Sequence, residues 1–161
     1  MKIYLCGFMG CGKSCIGREL ASQLGMDFAD LDEYIVSREG MSIPDIFEKH
    51  GEGHFRSLEA KYIVEMPDNS VVALGGGAVI NDNTAAAARS AGRVVFLDVD
   101  FDTCYERIKD DPNRPLAHNN PKEKVRELFE KRRPVYAERS DITIKAAGAP
   151  AEIANAIRGK L

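Results

Sequence analysis

The residues with the most specific chemistry lie close to the start of the chain. Residues 7–14 read GFMGCGKS and match the pattern G-x-x-x-x-G-K-[ST], whose glycines let successive backbone N–H groups turn toward a phosphate. The segment lies between a predicted strand and a predicted helix, so a positive helix N-terminus also faces that phosphate. Lys13 can then reach the β- and γ-phosphates, and Ser14 can ligate Mg²⁺. The pattern predicts nucleoside triphosphate binding, but it does not identify the reaction.

Two aspartates are candidates for contact with a second substrate. Asp30 and Asp32 follow a short predicted strand, and ligands of open parallel sheets bind beyond the carboxyl ends of the strands. Residues two apart on an extended segment point to the same side, so one carboxylate could contribute to the Mg²⁺ shell while the other orients a hydroxyl. The alternative for either residue is an N-cap of the next helix.

Glycines and arginines add further candidates. Three glycines follow a predicted strand directly: Gly75, Gly76 and Gly77. They offer close backbone approach and free N–H groups, although a plain flexible turn has the same composition. Three arginines lie in separate segments: Arg56, Arg114 and Arg132. A guanidinium group suits bidentate binding of a carboxylate or phosphate, while a solvated surface position is the ordinary alternative for each.

The composition limits the class of protein. The chain has 161 residues, enough for one domain, and its net charge of −3 excludes a nucleic-acid binder that relies on a basic surface. No apolar run has the length of a transmembrane helix or a signal peptide, so we expect no membrane partner. The four cysteines contain no C-x-x-C pair, which favours a reduced, cytoplasmic protein.

Strand and helix signals alternate along the whole chain. Strands are predicted at residues 2–6, 27–30, 70–74, 93–99 and 142–145. Helices are predicted after residue 13 up to Gly25, over 31–38, 42–49 and 52–65, after residue 101, around 125–136 and from residue 150. Residues 110–121 contain three prolines and three asparagines and predict a long loop that could act as a lid. These elements predict an α/β fold, a three-layer α/β/α sandwich around a five-stranded parallel sheet.

Taken together, these motifs resemble the shikimate kinase family. The resemblance covers nearly the whole chain, from the phosphate loop through D-x-D, the Phe-Arg of GHFRSLE, L-G-G-G and N-R-P-L to R-x-P-x-Y. It implies a P-loop kinase fold related to the nucleoside-monophosphate kinases. The implied reaction moves the γ-phosphoryl group of ATP to the 3-hydroxyl of shikimate, on the route to chorismate and the aromatic amino acids.

The resemblance also implies roles for individual residues. Lys13, Asp32 and Arg114 would be catalytic, with Asp32 contacting the shikimate hydroxyls as candidate base and Arg114 closing over the phosphates. Arg56 and Arg132 would grip the shikimate carboxylate, and the three glycines would add backbone contacts. Ser14 and Asp30 would serve the Mg²⁺ site, Asp30 directly or through a water molecule. The ATP-binding residues would be Gly7, Gly10, Cys11, Gly12, Lys13, Ser14, Cys15, Arg107 and Arg114.

The same resemblance divides the single domain, residues 1–161, into regions. Residues of about 31–62 would form the substrate-binding region and residues of about 110–121 the lid. The expected partners are ATP and shikimate, and the expected state is a monomer. Cys11 and Cys15 in the phosphate loop are departures from many relatives, and they predict sensitivity of the empty site to thiol reagents.

Two alternatives to this function stay open. A related small-molecule kinase, for gluconate or a nucleoside monophosphate, would share the phosphate loop but would not account for Arg56 and Arg132 beside three glycines. A non-catalytic nucleotide-binding module would bind ATP without turnover. A metal site at His50 and His54 is not expected, because two glycines disfavour the helix that would align them.

Overall fold

Five parallel strands form a single sheet in the computed structural model, which describes residues 1–112 and 114–161. The strands are β1 (Lys2–Cys6), β2 (Asp27–Asp30), β3 (Ser70–Ala73), β4 (Arg93–Asp98) and β5 (Ile142–Lys145). Their order across the sheet is β2-β3-β1-β4-β5, and every neighbouring pair is parallel. The predicted five-stranded parallel sheet is confirmed, with two strands one residue shorter than expected.

Helices connect consecutive strands and cover the sheet. They are α1 (Lys13–Leu24), α2 (Leu31–Glu39), α3 (Ile43–Ile63), α4 (Asp82–Ala91), α5 (Phe101–Ile108), α6 (Pro115–His118), α7 (Lys122–Glu138) and α8 (Pro150–Arg158). Since the β1–β2 connection runs opposite to the later ones, the right-handed crossover rule places α1 on one face and α3, α4 and α7 on the other. The central strands are accordingly buried on both faces, as a sheet between two helical layers requires.

Local signals fix the helix boundaries near the phosphate loop and the acceptor region. The Ser42 side chain accepts from the backbone N–H of Asp45 and caps α3, as predicted. Gly51 has φ 84° and ψ 168°, so α3 is kinked there, and the prediction of two helical segments on either side of this glycine is confirmed. Gly25 ends α1 in the left-handed conformation, also as predicted.

Among the described residues, two α-helices and one 3-10 helix lie where the sequence analysis assigns none. Residues 82–91 form α4, because alanine is the best helix former and the Asn81 side chain caps the first turn by accepting from two backbone N–H groups. A short 3-10 helix, Ala78–Ile80, precedes it. The predicted loop at 110–121 contains the one-turn helix α6, which begins at a proline. Asn113 of that segment lies outside the described residues.

The length and apolar character of a helix determine whether it can cross a membrane. Among the residues that the structure describes, no helix has both the length and the apolar character needed to cross a membrane.

Candidate active site

The phosphate loop joins the buried strand β1 to α1. Gly10 and Gly12 have φ of 79° and 94°, which side chains other than glycine rarely adopt. A Cβ at Gly10 would also lie 2.8 Å from the carbonyl oxygen of Cys104, so the loop must pass close to α5. Lys13 Nζ donates to the carbonyl oxygens of Gly7 and Phe8, at 2.8 and 3.2 Å. The lysine is therefore held against the loop at the mouth of a cavity.

That cavity, which we call the phosphate cavity, has a volume of about 310 Å³. The predicted residues that line it are Gly10, Gly12, Lys13, Ser14, Cys15, Asp30, Asp32, Gly75, Gly76, Arg107 and Arg114. The loop glycines, the lysine and the serine hydroxyl thus face the same space as both aspartates. This is the arrangement that the D-x-D pattern predicts.

A second cavity of about 220 Å³, the acceptor cavity, adjoins the first. The residues lining it are Met9, Asp32, Ile43, Phe55, Arg56, Glu59, Gly75, Gly76, Gly77, Arg114 and Arg132. Asp32, Gly75, Gly76 and Arg114 line both cavities. A molecule in the acceptor cavity would therefore meet a phosphate chain across these four shared residues.

Two guanidinium groups reach the glycine run from different helices. A Cβ at Gly77 would lie 2.5 Å from Arg56 Nη2, so any side chain there would displace the Arg56 guanidinium, which comes from α3. Arg132 on α7 approaches the neighbouring Gly76, where a Cβ would lie 3.6 Å from Nη1. Both groups line the acceptor cavity, and neither is turned into open solvent.

Asp32 is the carboxylate between the two cavities. Its Oδ1 is buried and has no hydrogen-bond partner among the described residues. Burial and, to a smaller extent, the neighbouring Asp30 raise the pKa of Asp32 to about 6, against the opposing charges of Lys13, Arg56 and Arg114. Asp32 Oδ1 is therefore a hydrogen-bond acceptor without a donor among the described residues. It lies at the junction of the two cavities, where a substrate hydroxyl can donate to it.

The comparisons with known proteins agree with this geometry. The family model described as shikimate kinase matches residues 9–161. The chain belongs to the shikimate kinase family. A shikimate kinase of Persephonella marina is 43% identical over 162 residues, covering 99% of this chain and 98% of the relative. The solved structure of a shikimate kinase from Acinetobacter baumannii in complex with shikimate has a TM-score of 0.91 at 38% identity, covering 99% of this chain and 91% of that one.

One structural match is more distant in sequence. A gluconokinase from Sinorhizobium meliloti has a TM-score of 0.56 at 19% identity, covering 96% of this chain and 87% of that one. The likeness shows a shared fold alone. It carries no evidence for gluconate as a substrate of this shikimate kinase family member.

Arg107 and Arg114 both line the phosphate cavity and also reach beyond it. Arg107 Nη1 donates to the carbonyl oxygen of Gly10 at 2.8 Å. It also lines a neighbouring cavity of about 590 Å³ between α5, α7 and the segment after β5, which has room for a nucleoside. Arg114 is half-exposed, and its Nε lies 3.5 Å from Asp111 Oδ2. It stands at the edge of both substrate cavities.

Asp30 and Cys11 differ in part from their predictions. Asp30 Oδ1 accepts from the backbone N–H of Glu33, so the N-cap alternative is correct for Asp30, which nevertheless lines the phosphate cavity. The Cys11 thiol is buried beneath the loop, which places it out of reach of reagents. The prediction of thiol sensitivity is therefore wrong for Cys11 and rests on Cys15, which is exposed in the cavity.

Glu59 is a site residue that the sequence analysis did not identify. Its Oε1 accepts from Arg56 Nη1 at 2.7 Å, and its buried Oε2 has no hydrogen-bond partner within the described part of the chain. Burial raises the pKa of Glu59 to about 7, although Arg56 acts in the opposite direction. An Arg–Glu pair three residues apart is common on exposed helix faces. The spacing therefore gave no indication that Glu59 is buried beside the acceptor cavity.

Proposed function

We propose that this chain transfers the γ-phosphoryl group of ATP to the 3-hydroxyl of shikimate, which yields shikimate 3-phosphate for the synthesis of chorismate and the aromatic amino acids. The observation that carries the proposal is the pair of adjoining cavities that share Asp32 and Arg114. One is built for phosphates, and the other brings two guanidinium groups to a run of glycines. Family membership supports the same activity.

The acceptor cavity suits a hydroxylated ring acid. In the proposed complex, Arg56 and Arg132 bind the carboxylate through charge-assisted hydrogen bonds, with backbone contacts from Gly75, Gly76 and Gly77. Glu59 holds the Arg56 guanidinium in place through their 2.7 Å contact. The buried face of the ring would pack on the apolar side chains of Ile43 and Phe55, which line the same cavity.

Asp32 acts on the hydroxyl that attacks. Its unpartnered oxygen accepts the hydrogen bond of the 3-hydroxyl and aligns that oxygen with the γ-phosphorus. As the new P–O bond forms and the bond to the ADP oxygen breaks, the hydroxyl proton passes to the Asp32 carboxylate. Phosphoryl transfer through a loose transition state depends mainly on such positioning and on charge neutralisation.

The remaining residues serve the nucleotide. Lys13 and the loop N–H groups bind the β- and γ-phosphates, Arg107 packs on the adenine, and Arg114 moves with residues 110–121 to close over the phosphates. Residues of about 31–62 form the acceptor-binding region. In this proposal Cys11 and Cys15 contribute backbone contacts within the loop.

Magnesium fits the residues of the phosphate cavity. Ser14 and Asp30 both line it and supply hard oxygen donors, and Mg²⁺ in kinases is bound by few protein oxygens together with the phosphates. Within the described residues there is no group of three or more His, Cys, Asp or Glu that would hold a metal by itself. When bound, the ion would neutralise phosphate charge.

Compartment and assembly are part of the same proposal. A cytoplasmic location is supported by the four cysteines, all of which are free thiols. We propose a monomer, because one chain supplies every residue that the two cavities need.

The test is an assay of ADP release with shikimate, gluconate, AMP and CMP as separate acceptors. With ATP present, we expect rapid ADP release when shikimate is the acceptor and no rapid release with any of the other three. Faster release with gluconate or a nucleoside monophosphate would reassign the acceptor cavity to that substrate. ATP binding without acceptor-dependent ADP release would instead identify a non-catalytic nucleotide-binding module.

A further inference from the structure

A buried tyrosine joins the two elements that carry the acceptor cavity. Tyr136 lies on α7, and its hydroxyl donates to the carbonyl oxygen of Gly76 at 2.5 Å. Burial raises the pKa of this hydroxyl, and the Arg132 guanidinium, one helical turn earlier, acts in the opposite direction. The same guanidinium approaches Gly76, where a Cβ would lie 3.6 Å from Nη1. The ring is almost fully buried and packs on Phe96, with ring centroids 5.4 Å apart. One hydroxyl therefore contacts the backbone of the glycine run beside a cavity arginine.

The contact with Gly76 has a consequence for the next amide. A trans peptide is planar, so the carbonyl of Gly76 and the N–H of Gly77 point in opposite directions. A peptide unit between two glycines can turn over at little cost, because neither neighbour has a Cβ that restricts it. A hydroxyl that holds the carbonyl toward α7 removes this freedom and keeps the Gly77 N–H directed away from α7.

We propose that Tyr136 is a positioning residue for shikimate: its hydroxyl fixes the Gly76–Gly77 peptide unit beside the Arg132 guanidinium, so that a backbone N–H and a guanidinium group meet the substrate in one preorganised arrangement. The inference rests on the proposed function, because it assumes that the acceptor cavity binds shikimate. It predicts that the hydroxyl affects the binding of shikimate and leaves the binding of ATP unchanged.

The chain offers a matched control in Tyr4. This residue is also fully buried, and its hydroxyl also donates to a backbone carbonyl, that of Ile63 at 2.8 Å. Neither residue is among those described as lining the two cavities. Replacing Tyr4 with phenylalanine removes the same kind of hydrogen bond from the core without touching the site, so it measures the effect of lost stability alone.

The experiment compares Tyr136→Phe, Tyr4→Phe and the unaltered protein in steady-state assays, with Tm measured for each. We expect Tyr136→Phe to raise the KM for shikimate about three- to tenfold, the factor expected for one hydrogen bond, with the KM for ATP changed less than twofold. Tyr4→Phe should lower Tm with both KM values within about twofold of the unaltered protein. In an Arg132→Ala background, Tyr136→Phe should raise the shikimate KM by a smaller factor.

Failure of the proposed function and failure of the role of Tyr136 give different kinetic results. If the unaltered protein does not phosphorylate shikimate, the proposed function is wrong, and the inference is wrong with it. If it does, and Tyr136→Phe leaves the shikimate KM unchanged or raises both KM values equally, only the role of Tyr136 is wrong.

A measurement on the unaltered protein keeps the test available should Tyr136→Phe fail to fold. Saturating shikimate should slow the hydrogen exchange of the Gly77 amide in NMR spectra, because the N–H would then donate to the substrate. ATP alone should leave that exchange rate unchanged. An equal effect of both ligands, or no effect of shikimate, would contradict the proposal.

Discussion

At the scale of single residues, neighbouring arginines on α7 have different surroundings. Arg132 lines the acceptor cavity, whereas Arg133 donates from Nε and Nη2 to the Asp98 carboxylate at 2.9 and 2.7 Å. Both substitutions to alanine remove one positive charge from the same helix. A comparison of the two therefore isolates the effect of position from the effect of net charge.

We expect Arg132→Ala to cost about 2–4 kcal/mol of transition-state binding, measured from kcat/KM for shikimate, because it removes a charge-assisted pair from a closed site. At saturating ATP, Arg133→Ala should change kcat/KM for shikimate by less than about threefold, since Arg133 and Asp98 line the neighbouring nucleoside-sized cavity and not the acceptor cavity. A loss below threefold for Arg132→Ala in folded protein would contradict its assignment to the carboxylate.

The ionisation of Asp32 determines the acid side of the pH profile. Only the ionised carboxylate can accept the hydroxyl proton, and burial raises the pKa of Asp32 to about 6. The dependence of kcat/KM on pH reports the free enzyme, so it should fall as pH decreases below about 6. Asp32→Asn should remove most activity at every pH. A constant kcat/KM between pH 5 and pH 7 would show that this carboxylate does not need its charge.

Residue types predicted the side chains that line the two cavities better than the side chains that support them. Lys13, Asp32 and Arg132 follow from motif and resemblance, and the structure places each against a cavity. Glu59 and Tyr136 act through other residues; both fall within the quoted motifs GHFRSLE and R-x-P-x-Y, but their residue types alone do not indicate what they contact. Their contribution depends on burial, which helix spacing alone does not determine.

At the scale of elements, the segment after α5 carries the arginine proposed to close the site. Arg114 lines both cavities, and its nearest described acidic partner is Asp111. Lys109 lies in the same segment but pairs with Glu106 at 3.0 Å. The two cations differ in whether they face the site.

We expect Arg114→Ala to lower kcat about 100-fold, as expected for the loss of one group that stabilises transition-state charge, with the KM for shikimate changed less than threefold. Lys109→Ala should leave both constants nearly unchanged. Steady-state kinetics with each substrate varied in turn distinguishes these outcomes. A large rise in the shikimate KM with kcat retained would place Arg114 in the acceptor site.

The contact between α1 and the sheet depends on a glycine. A Cβ at Gly17 would lie 2.5 Å from a ring carbon of Phe28 and 3.3 Å from Leu5 Cδ1. Gly53, in the second half of α3, has no atom within 4 Å of the corresponding position. The same substitution should therefore have opposite effects at the two positions.

We expect Gly17→Ala to lower the free energy of unfolding by about 1–3 kcal/mol, because overpacking shifts α1 relative to β2. Gly53→Ala should raise it by about 0.4–1 kcal/mol, since alanine restricts the unfolded chain and creates no clash. Urea denaturation measures both. Equal stability of the two variants would contradict the close packing of α1.

The elements were predictable where hydrophobic pattern and terminators agree. All five strands follow from their apolar runs, and the kink at Gly51 follows from this glycine and Gly53 close to it. The order of the strands did not follow, because it depends on contacts between residues far apart in sequence. Helix α4 was missed because its alanines carry no strong apolar periodicity, although their helix propensity is high.

At the scale of the whole molecule, the acceptor site lowers stability. A buried acid whose pKa is higher in the folded state than in the unfolded chain binds its proton more tightly when folded. Its contribution to stability is therefore greatest at low pH and is lost as pH rises between the two pKa values. For Asp32 this window runs from its ordinary value of 3.8 to about 6. The fold keeps this carboxylate because the proposed reaction needs it, at a cost in stability at neutral pH.

We expect Asp32→Asn to become more stable relative to the unaltered protein as pH rises from 4 to 7, by on the order of 3 kcal/mol. Asp100 provides a control of opposite sign. Hydrogen bonds from the backbone and side chain of Thr103 lower the pKa of this exposed carboxylate, so its contribution to stability is lost as pH falls. Asp100→Asn should therefore become less stable relative to the unaltered protein as pH rises through the acidic range. Free energies of unfolding from urea titrations between pH 3 and pH 8 measure both differences. The same slope for both variants would mean that burial does not penalise the Asp32 charge, and the site would then be open to water when empty.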